Sequence, residues 1–62
     1  MLTIREIIRA RDDLAEDVID FMFQEFAEAM ADGEMPDEQL RDIFGLEPDY
    51  LFDDELMKLW SD

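Results

Sequence analysis

The sequence predicts an all-α protein. One long amphipathic helix over about 3–32 is followed by two short helices over about 36–44 and 48–60, in a single small acidic domain spanning 1–62. Three observations predict this. Residues 3–32 contain no Gly and no Pro and are rich in Ala, Glu and Ile, of which Ala and Glu are good helix formers. Their apolar residues recur at helical spacing. The Gly and Pro residues fall as two punctuation marks, Gly33 with Pro36 and Gly45 with Pro48.

The long helix begins well. Thr3 is a good N-cap, and Glu6 three residues later completes a capping box. With Val18 at the origin and a turn of 100° per residue, one face gathers Ile4, Ile7, Ile8, Leu14, Ala15, Val18, Met22, Phe26 and Ala29. Ile19 and Phe21 flank this face, and Phe23 lies well off it. Asp13, Glu16, Asp17, Asp20 and Glu28 occupy the opposite side. Asp13 and Glu16 form a second potential capping box that offers a bend near Asp12–Asp13. The apolar stripe crosses that point without a change of phase, so a continuous helix is expected, roughly 42 Å long and ended by Gly33.

Two charges sit inside the stripe, Arg11 and Glu25, with Val18 at their midpoint. An antiparallel pair of copies centred on Val18 sets Arg11 against Glu25 of the second copy and Leu14 against Met22. Polar residues at core positions are a known device for fixing register. The expected dimer interface is therefore Ile4, Ile7, Ile8, Arg11, Leu14, Val18, Met22, Glu25 and Phe26.

In the C-terminal third, Pro36 suits the first position of a helix, with Asp37 and Glu38 in its first turn, where acids favour the helix dipole. Leu40, Ile43 and Phe44 share a face, and Gly45 ends the element. Pro48 starts the third element, with Leu46 and Leu51 placed as a hydrophobic staple. Asp53–Asp54 could restart the helix, leaving 48–52 as a turn. Phe52, Leu56 and Leu59 form a stripe with Trp60 beside it.

Size and composition exclude several classes. A 62-residue chain buries only ~60% of the surface its unfolded form exposes. There is no Cys and no His, hence no disulfide, no thiol and no ordinary zinc ligand. The short helices could cover one side of the long helix but not also Ile19, Phe23 and Met30. A homodimer or a partner is expected to supply the rest. Asp32-Gly33-Glu34 opens like a calcium loop, but Pro36 falls where a fifth-position ligand belongs. No metal and no cofactor are expected. With neither Cys nor His to activate a nucleophile, and no room for a cleft to tune carboxylates, no enzyme is expected.

Charge carries the strongest functional signal. The net charge is −14. Residues 1–11 hold Arg5, Arg9 and Arg11 against Glu6, and residues 12–62 hold 18 acids against Arg41 and Lys58. Such a body repels nucleic acid and anionic membrane and attracts basic protein surfaces. Eight acids between Asp12 and Asp32 give one charge per ~4 Å of continuous helix, against one per ~1.7 Å of duplex DNA. Two such helices side by side would approach DNA's linear density. The expected function is a DNA-mimic-like inhibitor or modulator that binds a basic surface of a nucleic-acid-binding protein through Asp13, Glu16, Asp17, Asp20 and Glu28. The first alternative is a structural or regulatory homodimer.

The stretch Leu51-Phe52-Asp53-Asp54-Glu55-Leu56-Met57-Lys58-Leu59-Trp60 resembles the acidic amphipathic helices of transcriptional activation segments. That resemblance implies a second alternative, docking of Phe52, Leu56, Leu59 and Trp60 into a partner's hydrophobic groove. The size, acidity and lack of Cys and His are similar to those of small phage-encoded proteins that bind host factors, a likeness of composition and not of motif. The N-terminus lacks the apolar core and cleavage site of a signal peptide, and no run approaches ~20 apolar residues. A cytoplasmic location is expected, the host cytoplasm if the chain is phage-encoded.

Overall fold

The computed structural model describes residues 2–61, and these are all-helical with no strand among them. Helix α1 (Ile4–Asp12) leads into α2 (Glu16–Ala31). A short α3 (Pro36–Gln39) runs on as a π-helical turn (Leu40–Phe44). A 3₁₀ turn (Pro48–Phe52) precedes α4 (Asp54–Trp60).

The capping box forms as the residues dictate. The Glu6 N–H donates to Thr3 Oγ1 at 3.2 Å, and the Thr3 N–H donates to Glu6 Oε1 at 3.1 Å. The long helix does not. Where the sequence predicts one helix over 3–32, the structure has two, broken at Asp13–Ala15. Asp13 adopts the left-handed conformation (φ 53°, ψ 44°), and its N–H closes α1 onto the Arg9 carbonyl at 3.0 Å. Asp is among the few residues that visit this region at modest cost. The bend therefore falls where the sequence offers one, but a left-handed C-cap makes it, not the second capping box. The N-cap of α2 is Ala15, with no side-chain cap bond.

Folding back is what hides apolar surface. A continuous helix of roughly 42 Å does not fit a molecule whose extents are 30 × 22 × 18 Å. The radius of gyration, 10.7 Å, matches the ~10.6 Å expected of a compact 62-residue domain. The core comprises Ile4 and Ile8 from α1, Ile19, Phe23 and Phe26 from α2, Leu40 and Phe44 from the π turn, Leu46, and Leu56 from α4. Phe44 is a hub, with its ring centroid 5.1 Å from Phe23 in an edge arrangement and 6.3 Å from Phe26.

The expectation about coverage by the short helices is thereby corrected. Ile19 and Phe23, held to be beyond the reach of the short helices, are buried at 0% and 5% exposure, and Met30 packs half-buried against the core. Val18, the centre of the predicted interface, is 42% exposed. Taken alone, α2 has its core stripe on Ile19, Phe23, Phe26 and Met30, at i, i+4, i+7 and i+11. Once the break frees α2 to rotate relative to α1, this second stripe turns inward.

The turns close by backbone chemistry. After α2, the Gly33 N–H donates to the Met30 carbonyl and the Glu34 N–H to the Ala29 carbonyl, at 3.1 and 3.0 Å. This is a Schellman motif with Gly33 at φ 87°. Over 48–60 the predicted single helix is a 3₁₀ turn and then α4, because the Asp53 side chain accepts from the Leu56 N–H and starts the helix afresh.

Candidate functional site

The charged surface is organised by Arg5. Its guanidinium lies 2.9 Å from Glu16, 2.7 Å from Asp20 and 2.7 Å from Glu55, and stacks 4.8 Å over the Phe23 ring. One cation thus ties α1 to both α2 and α4. The hydrogen bond to Glu55, reinforced by Asp20, holds its pKa well above the ordinary arginine value. Arg9 adds a 2.9 Å contact to Glu16.

Arg11, expected to face Glu25 of a second copy, makes contacts within its own chain. It pairs with Asp12 at 2.6 Å, which raises the arginine pKa and lowers that of Asp12. It also donates to the Phe44 carbonyl at 2.7 Å and reaches the Gly45 carbonyl at 3.4 Å. Those carbonyls end the π turn, where a cation satisfies both the orphan acceptors and the dipole.

The structure places the predicted residues as follows. Of the acidic set, Glu16 and Asp20 are engaged by Arg5, while Asp13, Asp17 and Glu28 are exposed and outside the ion pairs. Of the interface set, Ile4, Ile8 and Phe26 are committed to the molecule's own core. Ile7, Leu14 and Met22 pack half-buried against it, and Val18 and Glu25 are exposed. The antiparallel register needs Arg11 and Glu25 on one helix; they lie on two. Of the groove-docking set, Leu56 is fully buried, Leu59 packs half-buried against the core, and the Trp60 indole N–H donates to the Leu51 carbonyl at 2.7 Å. Phe52 is 66% exposed and meets Trp60 edge-on. The stretch is an integral wall of the fold, not a free amphipathic helix.

The charge density also changes. With α2 about 24 Å long, the acids it keeps outside ion pairs are Asp17, Glu25 and Glu28, one per ~8 Å. That is far sparser than DNA's one per ~1.7 Å.

No family model, curated protein or solved structure matches this chain. Function must be argued from its own surface. Among the described residues no three acidic groups converge to hold a metal ion, and no helix is long and apolar enough to cross a membrane. The concave features are shallow, such as a depression between Leu2, Ile7 and Tyr50 rimmed by Glu47 and Asp49.

One surface residue was underread in the sequence. Phe21, a mere flank of the predicted stripe, is 57% exposed. It lies opposite Ile19, Phe23 and Phe26 on α2, so the helical wheel of 16–31 read by itself would have put it on the outer face.

Proposed function

We propose that the chain is a non-enzymatic, acidic protein-interaction module that engages a basic surface on another protein, of the kind nucleic-acid-binding proteins carry. The distribution of charge supports this. Among the described residues all ion pairs involve only four carboxylates, Asp12, Glu16, Asp20 and Glu55. Fourteen of the eighteen described carboxylates therefore stand outside ion pairs. The three N-terminal arginines are taken up by those four carboxylates, so they do little to offset the other fourteen. Such a field raises the encounter rate with cationic partners.

The test is competition. A purified basic DNA-binding domain, loaded with labelled duplex, is titrated with the chain at rising salt. The chain should displace duplex at low salt and lose that ability steeply as salt is added. Converting Asp17, Glu25 and Glu28 to their amides should weaken displacement. A panel of such domains showing no displacement at low salt sinks the proposal.

A further inference from the structure

Helix α2 carries five acids and no basic residue. Ile19, Phe23 and Phe26 point to the core, while Val18 and Phe21 stay 42% and 57% exposed on the outside. Helical geometry sets Asp17, Val18, Gln24 and Glu25 around Phe21, with Glu28 one turn further along. Met22, half-buried, extends the apolar patch from Val18. This face thus combines an exposed aromatic anchor, a β-branched neighbour and a one-sign charged rim. Contiguous exposed apolar patches rimmed by polar residues mark interaction sites, whereas single exposed apolar residues are ordinary, and aromatic side chains are enriched among the residues that dominate binding energy at interfaces.

We propose that the outer face of α2 docks a basic amphipathic helix of a partner protein. The partner's apolar side chains would cover Val18 and Phe21, and its Lys and Arg side chains would meet Asp17, Glu25 and Glu28. This rests on the acidic-surface reading and assigns it a face and a partner chemistry. Charge complementarity selects the occupant. A second copy would bring the same acids onto this face, with no cation on α2 to answer them; Arg5, Arg9 and Arg11 are engaged by Glu16, Asp20, Glu55 and Asp12, and Arg41 and Lys58 are two cations in a chain of nineteen acids. Helix-on-helix docking through anchors three and four residues apart is an established recognition mode.

The experiment compares two helical peptides of equal length and charge. One carries leucine at helical spacing among lysines; the other replaces leucine with alanine. The leucine peptide should bind more tightly and shift backbone amide resonances chiefly over 17–28. Phe21→Ser should cost the leucine peptide roughly tenfold in affinity and leave the alanine peptide unaffected. Far-UV circular dichroism should be unchanged, since Phe21 is outside the core. If Phe21→Ser changes nothing while the amides of Asp17, Glu25 and Glu28 weaken both peptides, the docking face is overturned and the acidic-surface reading stands. Shifts centred on Phe52, abolished by Phe52→Ser, overturn the face as well. Self-association lost in Phe21→Ser, with no peptide binding, assigns the face to a second copy and overturns the proposal. If neither peptide binds at low salt, both readings fall.

Discussion

Asp13 does at a single residue what the sequence's periodicity argues against. Its left-handed φ of 53° turns the chain back and lets both helices share one core. Gly would hold that conformation without the Cβ cost. Asp13→Gly should therefore stabilise the protein by about 0.5 kcal/mol, a rise in Tm of about 2–4 °C. In a continuous helix the same change would lower Tm, because Gly in a helix interior is destabilising. A thermal melt thus reads the break by its sign. Glu6 supplies a second residue-scale test. Hydrogen bonds from the Thr3 backbone and hydroxyl hold its carboxyl below its ordinary 4.5. The unfolded chain takes up the proton first as pH falls, so this contribution is complete above 4.5 and lost as pH drops through the folded value. Glu6→Gln keeps a capping side chain that does not titrate. Urea unfolding should show wild type losing more stability than Glu6→Gln between neutral pH and about pH 3.

At the scale of the element, Asp53 joins two helix starts. Its Oδ1 accepts from the Ile4 N–H at 3.0 Å and its Oδ2 from the Leu56 N–H at 3.3 Å, so one carboxylate answers orphan donors of both α1 and α4. The long-range half of this bridge crosses 49 residues of sequence. Asp53→Ala should cost about 2 kcal/mol, roughly the sum of two ordinary caps, seen as a lower urea midpoint with an unchanged slope. Asp54→Ala, one residue on and exposed, should cost much less. A cost of only about 1 kcal/mol for Asp53→Ala, that of a single cap, would show that Asp53 serves α4 alone. The two acids are alike in sequence, and the start of α4 was legible as a restart at Asp53–Asp54. The contact with Ile4 was not, because nothing local announces which N-terminus will lie nearby.

Over the whole molecule, high charge and small size pull against each other. Fourteen excess negative charges crowd a particle 30 Å long, and their mutual repulsion opposes compaction. Salt screens exposed charges over about 10 Å at 0.1 M. Added sodium chloride should therefore raise Tm, even though it weakens the Arg5 cluster. A melt lowered by moderate salt would show that the ties from Arg5 to Glu16, Asp20 and Glu55 outweigh the general repulsion.

The sequence by itself determined the helical class, the Thr3–Glu6 start, the stops at Gly33 and Gly45, the restarts after Pro36 and Pro48, and the acidity of the exterior. These are local matters of φ preference, capping and composition, and each is decided within a few residues. Only the tertiary structure decided that 3–32 is two helices, that Phe23 is inside and Val18 outside, and that Arg11 caps the π turn at Phe44. The apolar residues of 16–31 support two stripes that share Phe26, and periodicity alone ranks them nearly equal. The choice falls to burial. With α1 folded back, the Ile19–Phe23–Phe26 stripe meets Phe44, Leu40 and Leu56, whereas the Val18 stripe would meet water. That same choice leaves Phe21 outside among acids, so the candidate binding face is itself a product of how the core closes.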